Sequence, residues 1–248
     1  MPQICCANNS VTMPELKVNH ILANGDCAIL LQFDPSDHLQ HAIHVLVKDF
    51  LHGQKLNKTQ AKLINVIPAT DSLVLVFATP IEFSHDLMQE ITQRVDQVEL
   101  QSNAVVFHEI PVCYDQSVAP DLIAVCELLN ISQQKLIDYH TQVIYRVDML
   151  GFLPGFAYLS GTHAALSLPR KSTPELQVEA GSIAIANHQT GIYSLQSPGG
   201  WYVIGRTPVV LLDWQKESQP MALNPLDEVQ FRAVDLEEFY YLKGSYEH

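Results

Sequence analysis

Basic side chains are scarce in this 248-residue chain, where 14 Lys and Arg face 27 Asp and Glu, a formal net charge of −13. Nucleic-acid backbones are held by clustered Lys and Arg, so the deficit argues against nucleic acid as a partner. Long apolar runs are missing too. No stretch approaches the roughly 18 consecutive apolar residues of a membrane-spanning helix, and the first residues show neither a basic start nor an apolar signal core. The expected location is the cytoplasm. The five cysteines are odd in number and show no C-x-x-C spacing, which argues against a disulfide framework and a zinc knuckle. Also absent are the G-x-x-x-x-G-K-[ST] phosphate loop, the G-x-S-x-G elbow and H-E-x-x-H. Any catalysis is therefore expected to be shared between subunits.

Glycine is sparse as well, and its placement is informative. Of 11 glycines, eight lie between Gly151 and Gly205. Glycine tolerates positive φ and close backbone approach, so this concentration marks specialised loops. The cations Arg146, Arg170, Lys171 and Arg206 outnumber the carboxylates Asp148, Glu175 and Glu179 across residues 146–206, where an anionic ligand would be least repelled.

Two domains are expected. Residues 1–14 read as a leader without periodicity. In residues 15–110, strand-like LKVNHIL and CAILLQF flank the turn-forming Asn24-Gly25. Leu39, Ile43, Leu46 and Phe50 recur at helical spacing, two more strands follow, and a second helix carries Leu87, Ile91 and Val95. A strand over 104–113 closes this α+β sandwich. His41 and His44 share a helix face, but no third ligand completes a metal site. Residues 111–235 begin with two short helices, one stopping at Asn130 and the next capped by Ser132. The β-rich runs VIYRVDMLGF, SIAIAN, GIYSL, WYVIG, PVVLLDW and EVQFRAV then suggest a closed or nearly closed antiparallel barrel. Residues 236–248 read as a C-terminal helix and tail.

Several side chains have roles that their chemistry alone suggests. Arg170 and Arg206 can each bind a carboxylate or phosphate in bidentate fashion, or serve loop carbonyls and acids. Gln189 and Thr190, read as turn residues, offer neutral donors and acceptors suited to an amide, and Tyr193 adds a hydroxyl. Backbone N–H groups at Gly199 and Gly200, beside Ser197, form an anion nest or simply a type II turn. Phe152, Phe156, Tyr158 and Trp201 supply flat apolar surface, read first as barrel packing. In the GFLPGF loop, Phe152, Pro154 and Phe156 are candidate anchors for a partner.

The motifs MLGFLPGFAYL (149–159), Leu168-Pro169-Arg170, Ala180-Gly181-Ser182, Gln189-Thr190-Gly191-Ile192-Tyr193, Ser197-Pro198-Gly199-Gly200-Trp201 and Gly205-Arg206-Thr207 follow in that order. Together they resemble the PxpB/KipI family, the smaller carboxyltransferase-like subunit formerly labelled allophanate hydrolase subunit 1. The resemblance spans residues 15–234 and is densest over 140–207. It implies a ferredoxin-like α+β domain followed by a mainly β cyclophilin-like barrel, and association with a larger PxpC-type subunit. With a PxpA-type third component, the assembly would open 5-oxoproline to glutamate at the expense of ATP. The KipI branch implies instead an inhibitor of a sensor histidine kinase, and fused relatives form part of urea carboxylase. Some positions depart from the family pattern. Asp115 and Gln116 replace a Gly-Gly turn, Asn187 and His188 replace another Gly-Gly pair, and Glu175 and Glu179 stand where an arginine and a proline are usual. Glu175 is expected to reverse the local charge and weaken anion binding.

Overall fold

The run around Asn24-Gly25 folds as the expected hairpin: strands β1 (Val18–Ala23) and β2 (Ala28–Phe33) pair antiparallel, and Asn24 N–H donates to Ala28 O at 2.8 Å. The structure, a computed structural model, describes residues 16–36, 39–53, 55–98, 105–216 and 219–246. The expected leader lies outside the described residues. Helix α1 (Leu39–His52) precedes β3 (Leu63–Pro68) and β4 (Ser72–Phe77). Helix α2 (His85–Asp96) starts at Ser84, whose hydroxyl accepts Leu87 N–H at 3.3 Å. Such a cap stabilises the helix by about 1 kcal/mol.

Sheet order is β1-β2-β4-β3, antiparallel throughout. The strand period of two turns Ile29, Leu31 and Phe33 of β2 and Leu73, Leu75 and Phe77 of β4 toward the helices. There they meet Ile43, Leu46 and Phe50 of α1 and Leu87, Ile91 and Val95 of α2. Each such side chain contributes about 1.5–3 kcal/mol when fully buried. The order β-β-α-β-β-α with this sheet is the ferredoxin-like arrangement with its last strand moved to the front.

The chain divides into two units, Met1–Ser102 and Asn103–His248. The strand expected to close the first sheet instead opens the second unit, as β5 (Phe107–Cys113). Helix α3 (Leu122–Leu129) stops at Asn130, which adopts φ 52°, and Ser132 caps α4 (Gln133–Thr141). Then come β6 (Tyr145–Leu150), β7 (Ala157–Ser160), β8 (Glu175–Val178), β9 (Ser182–Ala186), β10 (Gln189–Ile192), β11 (Ser197–Gly199), β12 (Tyr202–Arg206), β13 (Glu228–Val234) and α5 (Leu236–Tyr246). Seven strands close a barrel in the order β10-β7-β6-β13-β5-β12-β9, and β8 pairs with β11 in a separate ribbon. The fold class is thus α+β followed by a mainly β cyclophilin-like barrel.

Two details differ from the sequence pattern. The barrel is mixed, because β13 runs parallel to β5 from Glu228↔Phe107 to Val234↔Cys113. PVVLLDW forms no strand: it makes the single bridge Leu212↔Met221 within an irregular ribbon whose Asp213 N–H donates to Pro220 O at 2.7 Å. On α5, Phe239 packs against Cys113, Val118 and Val234.

Helix α4 delivers His140 into the barrel core, where it is 0% exposed. The Tyr114 hydroxyl lies 2.6 Å from its Nδ1, and Phe231 stacks on its ring at 4.5 Å. Burial pushes its pKa down from 6.5 to about 3, so the imidazole is neutral. Between pH 6.5 and 3 the unfolded chain therefore binds a proton that the folded one refuses, and stability falls as the pH drops through that window. One such proton gives a slope of about 1.4 kcal/mol per pH unit. Urea midpoints measured from pH 6 to 5 should show this slope in the wild type and lose it in His140→Gln.

Candidate functional site

Strand β9 has two faces. Ile183 and Ile185 point into the main barrel core, while Ala184 and Ala186 face outward with Val203 of β12. Beside them on β10 is Gly191, where a Cβ would stand 2.7 Å from Phe156 Cζ and 2.9 Å from Trp201 Cζ3. These small residues form a floor on which four aromatic rings assemble. Phe156 meets Tyr158 at 4.7 Å, Tyr193 at 5.0 Å and Trp201 at 6.0 Å, all edge-on, and Tyr158 meets Trp201 at 5.8 Å. Each edge-to-face pair adds about 0.5–1.5 kcal/mol beyond area burial.

Polar groups gather around this platform. The Arg170 guanidinium carbon lies 5.8 Å from the Trp201 ring centroid, and its side chain is exposed. Burial pushes the Tyr158 and Tyr193 phenols above their ordinary value; Arg170 opposes the rise without cancelling it, so both remain protonated donors at neutral pH. The ribbon carrying Gly199 presses on Tyr193, since a Cβ at Gly199 would fall 2.2 Å from its hydroxyl. Opposite Val178 on the same ribbon, Ser197 Oγ is buried and has no hydrogen-bond partner among the described residues. Arg170, Tyr193 and Gly199 therefore come together, joined by Tyr158 and Trp201, while Gly200 accepts Lys171 N–H beside Arg170 and Ser197 is buried in the ribbon opposite Val178. Arg170 is the exposed cation at this platform and can pair with a carboxylate, with the half-buried Tyr158 phenol as a neighbouring donor, whereas Tyr193, Trp201 and the Ser197 hydroxyl are buried.

Of the other expected site residues, Gln189 pairs with Ala186 in phase with Gly191, and the rest lie elsewhere. Gln189 and Thr190 begin β10, and the turn is Asn187-His188, with Asn187 at φ 53°. Thr190 is buried, its hydroxyl 2.8 Å from that of Thr162, and so does not reach the outer face. Arg206 supports a loop: its Nε–H donates to Ala180 O at 3.0 Å, and a guanidinium nitrogen sits 3.6 Å from Glu179. In the GFLPGF loop, Phe152 and Pro154 are exposed, whereas Phe156 is buried beneath Phe152 at 5.4 Å. Phe152 adopts φ 65°, a conformation costing a non-glycine residue about 1–3 kcal/mol. The loop holds it there through Gly151 N–H to Phe156 O and Phe156 N–H to Leu153 O, both 3.1 Å.

Glu175 does not leave an uncompensated negative charge. Its carboxylate accepts from Lys171 Nζ at 2.7 Å, and the same ammonium donates to Asp121 at 2.8 Å. Burial alone would lower the Lys171 pKa, but the two carboxylates outweigh it and raise the value. Tyr158, read first as barrel packing, stands on the outer platform beside Phe156 and Trp201. Its position two residues after Phe156 in extended chain was the available signal, because such residues share a face.

A family model described as carboxyltransferase domain, subdomain C and D, matches residues 19–223. The chain is 35% identical over 194 residues to the B subunit of 5-oxoprolinase from Bacillus subtilis, covering 73% of this chain and 79% of that one. It is 32% identical over 207 residues to the protein of the same name from Escherichia coli O157:H7, covering 84% and 92%. Among solved structures, TTHA0988 superposes with a TM-score of 0.67 at 31% identity; the match covers 84% of this chain and 40% of that one.

The closeness of Gly191 to Phe156 and Trp201 makes the platform intolerant of even a methyl group. Gly191→Ala should lower stability in urea unfolding by about 1–3 kcal/mol. Unchanged stability would show that the rings can move aside.

Proposed function

This chain belongs to the family described as carboxyltransferase domain, subdomains C and D, and on that premise we propose that it is the B subunit of an ATP-dependent 5-oxoprolinase. The observation that carries the proposal is the Arg170 guanidinium set over Trp201 beside the protonated Tyr158 phenol. The substrate, 5-oxoproline, is a flat lactam with one carboxylate. Its carboxylate pairs with Arg170 and its ring lies on the aromatic floor. The Tyr158 phenol donates to the lactam oxygen, where negative charge grows as water adds to the carbonyl. The names of the Bacillus subtilis and Escherichia coli relatives support this substrate.

The remaining parts belong to other chains. A PxpC-type larger subunit docks on the GFLPGF loop through exposed Phe152 and Pro154, and a PxpA-type subunit completes the assembly. ATP hydrolysis, which drives lactam opening, is assigned to those partners because this sequence has no phosphate loop. Alone, the chain is inactive.

Reconstitution with both partners should yield glutamate from 5-oxoproline and ATP. Loss of a charge-assisted hydrogen-bond pair is worth about 1.5–3 kcal/mol, so Arg170→Ala should lower kcat/KM by about 10- to 100-fold with assembly intact. Absence of turnover in every combination, or recovery of a histidine kinase and no larger subunit in a pulldown, would overturn the proposal.

A further inference from the structure

Arg170 makes no hydrogen bond of its own among the described residues, yet its position is narrowly set by the chain on either side. Leu168 O accepts Asn187 N–H, and Lys171 N–H donates to Gly200 O at 2.8 Å. Only Pro169 and Arg170 lie between these two fastenings, and the proline ring removes one backbone freedom. The second fastening is reinforced by side chains. Lys171 Nζ is 2.8 Å from Asp121 Oδ1, both side chains being 15% exposed, while Asp121 Oδ2 accepts Val203 N–H at 2.8 Å. Val203 follows Trp201 and Tyr202, and Lys171 Nζ also lies 5.8 Å from the Tyr202 ring centroid. One carboxylate thus ties the strap bearing Arg170 to the strand that follows Trp201.

We infer that Lys171, clamped to Asp121, is a positioning residue that holds Arg170 over Trp201 for carboxylate binding. The ammonium is itself engaged by Asp121 and Glu175, so it orders the strap and leaves the ligand to the neighbouring guanidinium. Removing Lys171 strands the Asp121 carboxylate, and removing the Asp121 charge leaves the ammonium to the exposed Glu175 alone, so either change releases the strap from the strand after Trp201. The ligand role rests on the 5-oxoprolinase reading. The strap itself does not.

Two measurements separate those claims. Hydrogen exchange on the full chain reads the strap without any substrate. The residue 171 amide should exchange at least about 10-fold faster in Lys171→Met and in Asp121→Asn, with the Ile185 amide of β9 unchanged. Asp121→Asn keeps an oxygen for Val203 N–H, and so serves if Lys171→Met fails to fold. Unaltered exchange at 171 overturns the inference whatever the substrate. In the assembled complex, Arg170→Ala and Lys171→Met should each raise KM for 5-oxoproline by about 10-fold, with kcat kept within about 3-fold. Together they should do no more than Arg170→Ala alone, and Lys171→Arg should restore most of the loss. Multiplicative effects would mean that Lys171 acts independently of Arg170, which also overturns the inference. A wild-type complex that does not turn over 5-oxoproline sinks the substrate assignment and leaves the strap to be judged by exchange.

Discussion

The absence of a side chain at Gly191 is the constraint from which the outer face of the barrel follows. Because nothing projects from that position, Phe156 and Trp201 approach the strand closely enough to fill the gap. Tyr158 and Tyr193 then complete a closed set of edge-to-face contacts. The platform in turn supports two loops. Phe152 leans on Phe156 from the GFLPGF side, and the Gly199 turn leans on the Tyr193 hydroxyl from the other. A ring displaced from the floor would therefore disturb the polar groups and the exposed loop together.

Interior and exterior of the same strands do different work. Inside, Ile183, Ile185 and Ile192 join Tyr145 and Phe231 in an apolar core that also takes in His140 as a neutral ring. Outside, Ala184, Ala186 and Gly191 are kept small, so that volume is supplied by aromatics from loops. Alternation along a strand thus separates the barrel core from the outer aromatic platform at a spacing of one residue. Thr190 shows the consequence: on the inward phase it bonds to Thr162 and is lost to the outer site.

Local signals were legible in the sequence, and long-range ones were not. Asn24-Gly25 marked the hairpin, Ser132 marked a helix start, and Asn130 marked a stop, each through chemistry confined to a few residues. The glycine concentration coincides with the aromatic platform, where Arg170 stands over Trp201 and Gly199 packs on Tyr193. Gln189 and Thr190 were misread because Asn187 took the left-handed turn position, which moved both residues into β10. The parallel pairing of β13 with β5 joins segments more than a hundred residues apart, beyond any local pattern. The partner of Glu175 is four residues away, and only its anchoring is long-range. The Glu175 charge is met by Lys171, which is itself anchored to Asp121, 50 residues earlier.

The central claim is that Arg170, Trp201 and the Tyr158 phenol form the binding face for an oxoacid. A crystal structure of the assembled complex with 5-oxoproline bound tests it most directly. The account predicts both carboxylate oxygens within hydrogen-bond distance of the Arg170 guanidinium, about 2.7–2.9 Å, with the lactam ring against Trp201. A ligand bound elsewhere, with Arg170 turned to solvent, would contradict it.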